Sequence, residues 1–204
     1  MLSKQSGFSL IETLVALVAG LLVVAAALAL LSSSMAAANS TLMLSRLNQE
    51  LQAVTDIISR DIQRTGYHSE AALGLGNDYL FASQQDLYPE GVNSHCIRVK
   101  FWDPHASSGQ QSVVKVYSHD AQLQTLRVRT DYGPPTNIPL STLCATGQRL
   151  VSDDEIRIPS FTLFTPDDAP SALTLRIAAV HARRPQFSAE LARFIYLRNH
   201  QAGL

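Results

Sequence analysis

No Asp, Glu, Lys or Arg occurs between Thr13 and Ser45, and that gap constrains the chain more than any other feature. Within it, Leu14 to Leu31 reads LVALVAGLLVVAAALALL. A helix needs roughly 20 apolar residues to cross a bilayer core, with a range of about 17–25. The run meets this when Phe8, Leu10 and Ile11 are included. A helix satisfies its own amides, so the segment can sit in lipid. A cleaved signal peptide, a plain signal anchor and a more specialised anchor all compete for it. The run is long against the core of about 7–15 residues in a signal peptide, although Ser34-Met35-Ala36-Ala37-Ala38 offers a small-residue cleavage site. Lys4 on the cytoplasmic side suits a plain anchor. Neither simple option accounts for Glu12, a carboxylate just inside the apolar block, where charge is expensive unless paired. The helix dipole lowers that expense in the first turns. A cation inside the membrane would explain the residue, and the chain-end amine of another subunit is one candidate.

The rest of the chain has a different texture. It has 204 residues, with 16 Lys+Arg against 17 Asp+Glu and a net charge of −1. That length suits one ordinary domain plus an appendage. The near-zero balance argues against a dedicated nucleic-acid binder and against an acidic disordered chain. With all charge excluded from the apolar block, the remainder is a normally charged polar domain.

Ser6-Gly7-Phe8-Ser9-Leu10-Ile11-Glu12-Thr13-Leu14 resembles the type III signal of type IV prepilins and pseudopilins. That pattern is a short basic leader, Gly, Phe, a small hydroxyl residue, two aliphatics and Glu before an apolar run. The resemblance implies cutting between Gly7 and Phe8 by a prepilin peptidase and N-methylation of Phe8. It also implies that Glu12 pairs with the Phe8 amine of a neighbour in the assembled filament.

Beyond Gly20 the next Gly is Gly66, and the first Pro is Pro89. Leu44, Leu47, Leu51, Val54, Ile58 and Ile62 recur at steps of three and four, one stripe at helical period. Arg46, Glu50, Asp56, Arg60 and Arg64 fill other faces. Gly66 suits the left-handed position just past a helix end. One helix is therefore expected from near Phe8 to about Thr65, roughly 85 Å long at 1.5 Å per residue. It is apolar all round in its first half and apolar on one face in its second. Ile58-Ser59-Arg60-Asp61-Ile62-Gln63-Arg64-Thr65-Gly66-Tyr67 is similar to the end of the long helix in PilW-type minor pilins. The ending Phe194-Ile195-Tyr196-Leu197-Arg198-Asn199-His200 resembles their tail. Gly20 also resembles that family more than the J-type pseudopilins of type II secretion. His68-Ser69-Glu70 stands where those proteins often carry an early Gly-Cys.

Strand-like runs follow Gly66. Ile97 to Trp102 alternates apolar and basic residues. Val113 to Tyr117 and Leu123 to Thr130 flank Ser118-His119-Asp120-Ala121, which reads as a hairpin connection. Ile156 to Phe164, Ala172 to Val180 and Ala192 to Leu197 continue the pattern, and Gly74-Leu75-Gly76-Asn77-Asp78 reads as a loop. The expected fold is α+β and type IV pilin-like: one long N-terminal helix whose C-terminal half packs on an antiparallel β-sheet. The expected segments are a cleaved leader over 1–7, an apolar helix half over 8–34, an amphipathic half over 35–66 and a β-rich periplasmic domain over 67–204.

Cys96 and Cys144 are the only cysteines. An oxidising compartment favours pairing them; two separate buried thiols are the alternative. Nothing resembles a C-x-x-C zinc pattern. His68, His95, His105, His119, His181 and His200 stand in no metal or catalytic motif. Asp153-Asp154-Glu155 and Asp167-Asp168 lack the alternating oxygens of a calcium loop. No catalytic residue, metal or cofactor is expected. Arg127 and Arg129 on one strand face and the Arg183-Arg184 pair raise nucleic acid as a partner, although ordinary exposed charges explain the same residues. The resemblance implies a minor pilin that helps prime or cap type IV pilus assembly. Its expected partners are other minor pilins, the major pilin, prepilin peptidase and the inner membrane. A type II secretion pseudopilin and a pilus-tip adhesin or DNA-binding module are the alternatives.

Overall fold

The computed structural model describes residues 9–70, 76–91, 93–135, 138–152, 154–166, 168–169 and 171–199. Helix α1 spans Leu10–Arg64 without interruption. Contacts divide the chain at Met43, into a unit of residues 1–43 and a unit of residues 44–204.

In the first unit α1 buries essentially nothing. Leu14, Leu17, Leu21, Leu22, Val23, Leu28 and Leu30 are all exposed. Ser40 and Thr41 satisfy their hydroxyls on the carbonyls of Ala36 and Ala37, one turn back.

In the second unit the same helix gains a buried face. Leu47, Leu51, Val54, Ile58 and Ile62 enter the main core, as their spacing predicts. Complete burial of an aliphatic side chain such as Ile58 or Ile62 contributes about 1.5–3 kcal/mol. Leu44, at the start of the stripe, stays 40% exposed. Gly66 ends the helix with φ +81, and a Cβ there would stand 2.8 Å from the Asn199 carbonyl oxygen. Its amide donates to the Lys100 carbonyl at 2.9 Å, and the Trp102 amide donates to Tyr67, so the chain leaving the helix bonds to a strand edge.

Two antiparallel sheets form where the sequence suggested one. The first orders β1 (Leu87–Tyr88), β2 (Cys96–Trp102), β3 (Ser112–Asp120), β4 (Thr125–Tyr132) and β5 (Gln148–Arg149). The second orders β6 (Ile156–Phe164), β7 (Ala172–His181) and β8 (Arg184–Tyr196). Ser94 joins them, exchanging both backbone hydrogen bonds with Leu163 at 2.9 and 2.8 Å. Ile97, Val99 and Phe101 from β2 and Leu173, Leu175 and Ile177 from β7 share one core with α1. Short helices α2 (Ser83–Asp86) and α3 (Leu140–Leu143) and a 3-10 turn at Asn77–Tyr79 complete the unit. Part of the expected 74–78 loop, Gly74-Leu75, lies outside the described residues.

The β3–β4 connection falls at residues 121–124, not at 118–121. Ser118, His119 and Asp120 are polar yet extended because each is paired in register across the hairpin. Asp120 also caps the turn, accepting the amides of Gln122 and Leu123 at 3.1 and 3.0 Å. The Leu123 amide first, then the Arg127 guanidinium and last the Gln122 amide hold its carboxyl below the ordinary range.

A carboxylate stands on the buried face of α1, beside the polar Thr55 and Ser59. Asp61 is 6% exposed, and its Oδ2 accepts from Lys115 Nζ at 2.7 Å and from the Tyr117 hydroxyl. Burial first, then the adjacent carboxylate, pushes the Tyr117 phenol well above its ordinary value of 10.0. This cluster fixes the rotation of the helix on the first sheet. Asp61→Ala should lower unfolding free energy by about 2–3 kcal/mol, because Lys115 is partly solvated and retains some hydration. Urea unfolding of the purified chain measures it. A raised folded-state pKa means that the unfolded chain releases the proton first as pH climbs. The Tyr117 contribution is therefore whole below about pH 10 and declines as pH rises toward the folded value. Tyr117→Phe should show a shallower loss of stability over that alkaline range.

Candidate functional site

The N-terminal turn of α1 has a simple local construction. The Ser9 carbonyl accepts the amides of Glu12 and Thr13 at 3.0 and 3.2 Å, so the helix is closed from its first residues. Thr13 Oγ1 donates to the Leu10 carbonyl at 2.9 Å, which keeps that hydroxyl from needing water. Glu12 sits in the first turn, where the dipole favours a negative charge. Leu10 and Ile11 beside it are 80% and 72% exposed. The next charged residue is Arg46. The helix is long and apolar enough to cross a membrane. A surface of this kind is stable in lipid or against other apolar helices, and a carboxylate at its edge is costly there unless it is paired. Gly7 and Phe8 lie outside the described residues.

The globular unit carries the other singled-out residues. Cys96 at the start of β2 and Cys144 just after α3 form a disulfide, with Cα atoms 5.9 Å apart across 48 positions of sequence. Cys96, Val116, Leu140 and Leu143 make a small second core on the face of the first sheet opposite α1. The bridge therefore holds the segment bearing α3 against the back of β2 and β3.

The described histidines make local packing and hydrogen-bond contacts. His68 stacks against Tyr79 and Trp102, with ring centroids 5.3 and 5.1 Å apart. His119 Nε2 donates to the Ile158 carbonyl at 2.7 Å. Burial, and then the neighbouring His119, lowers the pKa of His95. His181 Nδ1 accepts the Arg183 amide at 3.1 Å. His105 lies in an exposed turn where its amide meets Asp103, and His200 is outside the described residues. Among the described residues no group of three or more His, Cys, Asp or Glu side chains is placed to hold a metal. Arg127 pairs with Asp120 at 2.8 Å and Arg129 with Asp131 at 2.7 Å, so the basic strand face is neutralised within the hairpin. Asp153 and Asp167 fall outside the described residues, while Asp154, Glu155 and Asp168 lie in turns.

Residues the sequence reading passed over include Asp61 and the buried trio Asp86, Arg98 and Lys100. Asp61 left a trace in the sequence, since it lies three positions after Ile58 and one before Ile62 and so falls inside the apolar stripe. The trio left none: the alternation of β2 reads as a strand with a solvated basic face.

A charge-free helix half with a first-turn carboxylate, continued by a stripe that packs on antiparallel sheets, defines a type IV pilin-like protein. Residues 2–28 match the prokaryotic N-terminal methylation motif. Residues 40–197, most of the chain, match the family described as prepilin peptidase-dependent protein B, and the chain belongs to that family. It is a type IV pilin-like minor pilin whose processing depends on prepilin peptidase, from families of structural proteins rather than enzymes. The apolar helix and the signal accord with inner-membrane anchoring and pilus association. No curated protein and no solved structure matches the chain.

The disulfide closes a 48-residue separation. On the chain-entropy account such a closure contributes about 4 kcal/mol. Cys144→Ser combined with Cys96→Ala should lower the urea midpoint correspondingly, and reductant should reproduce the loss in the unmodified protein. An unchanged midpoint in both would contradict this.

Proposed function

We propose that the chain is a PilW-type minor pilin that helps prime or cap a type IV pilus. The observation that carries this reading is the coupling of three features in one helix: the methylation motif over 2–28, Glu12 in the first turn and the uncharged, unburied stretch after it. Residues 1–7 act as a leader, cut between Gly7 and Phe8, and the Phe8 amine is methylated. Residues 8–34 store the subunit in the inner membrane and later pack among sister helices. Residues 35–66 anchor the β-rich domain over 67–204, which faces the periplasm. The partners are the major pilin and other minor pilins.

Glu12 acts in extraction and docking. Once the leader is removed, each subunit presents a chain-end amine near the membrane face. A carboxylate four residues along can pair with a neighbour's amine as the helices leave lipid for the fibre. Breaking such a pair in a dry setting costs about 3–5 kcal/mol.

Gly20 and the resemblance of the ending over 194–200 support the pilus reading over a type II secretion pseudopilin. The pairing of Arg127 and Arg129 with local aspartates weighs against a DNA-binding module.

Glu12→Ala should leave membrane insertion intact, since removing a carboxylate from an apolar helix makes insertion easier. The globular domain should melt normally. Incorporation into sheared pili should fall by at least tenfold, because a loss of 1.4 kcal/mol already gives that factor and the broken pair is worth about twice as much or more. Quantitative immunoblotting of sheared fibres beside membrane fractions reads the outcome. Normal incorporation would remove Glu12 from the mechanism.

A further inference from the structure

On the back of β2 two buried cations, Arg98 and Lys100, share the carboxylate of Asp86. Asp86 is fully buried, and Arg98 and Lys100 are 6% and 5% exposed. Asp86 Oδ1 accepts from Arg98 Nε at 2.8 Å, while its Oδ2 lies 3.0 Å from Lys100 Nζ. The same Oδ2 accepts the Ala82 amide at 2.9 Å. One carboxylate thus serves two buried cations. The remaining contacts of Arg98 include the carbonyls of Ile138 and Gln85, at 3.1 and 3.0 Å, which are neutral. Among the described residues the Lys100 ammonium, with three donors to place, meets only Asp86.

Both cations line a pocket of about 310 Å³, with Asn77, Asp78, Ala82 and Gln85 among its other walls. Asp78 is exposed and makes no ion pair with either cation among the described residues. A buried ammonium that shares its carboxylate with a guanidinium gains from a further anion within reach. Asn77 and Gln85 are of a type that adds carboxamide donors to such a site.

We propose that this pocket binds an oxyanion, a phosphate or a carboxylate, held by Lys100 Nζ and flanked by the Arg98 guanidinium. The ligand is either a free anion or an acidic side chain presented by a neighbouring chain. The site stands apart from Glu12 and from the disulfide, so it survives or fails independently of the assembly mechanism.

The full chain in detergent is titrated calorimetrically with inorganic phosphate and, separately, with N-acetyl-aspartate, at ionic strength held constant with sodium chloride. Saturable one-to-one binding of either ligand is expected. Phosphate binding alone identifies a free anion, and tighter binding of the aspartate analogue identifies a presented carboxylate. Lys100→Met leaves Asp86 and Arg98 matched one to one, so the fold should hold while affinity drops roughly tenfold or more. Asp78→Asn, a surface change, should strengthen binding by removing a nearby negative charge. The proposal is overturned if neither ligand saturates, if Lys100→Met binds as the unmodified chain does, or if Asp78→Asn leaves affinity unchanged.

Discussion

The absence of charge between Glu12 and Arg46 is the condition on which the rest of the structure depends. It gives α1 two kinds of surface in one continuous helix. Before Met43 the helix buries no large apolar side chain against the described residues of its own chain and is stable only in an apolar surrounding. From Leu47 onward it becomes the spine of a core built with two sheets. A single Lys or Glu within the first stretch would be expensive in lipid and between packed helices alike.

Within the globular unit, polar side chains set how the pieces meet. Asp61 ties α1 to β3 through Lys115 and Tyr117. Arg193 of β8 pairs with Asp56, and Asn199 donates to the Thr65 carbonyl, so the second sheet is also tied to the helix. The disulfide and the small core around Val116 hold α3 against the opposite face of the first sheet. Apolar burial supplies the driving force. These directional contacts select the rotation and register in which it is realised.

The long helix and its stripe were legible in the sequence because both are local: charge-free length and a period of 3.6 are visible without knowing any distant contact. Strand positions over 156–164 and 172–180 were legible for the same reason. The beginning of β8 was not, since Arg184, Pro185 and Gln186 are exposed and only Phe187 and Ala189 turn partly inward, while the pairing with β7 runs through the backbone. How the two sheets meet was hidden because it involves Ser94 bridging to Leu163, far apart in the chain. In β2 the alternation of Ile97, Val99 and Phe101 with Arg98 and Lys100 suggests one wet face. Instead α2 and the chain around Ile138 cover that face, and the cations are buried with Asp86. Cover supplied by distant segments leaves no periodic signal in the strand that it covers.

The central claim is that the first helix half is an assembly element, exposed by cutting the leader at Gly7. Mass spectrometry of the N-terminal peptide from fibre-associated protein tests it most directly. The account predicts a chain beginning at Phe8 with a methyl group on its amine. An N-terminus that retains Met1, or one cut after the Ser34–Ala38 stretch, would contradict it.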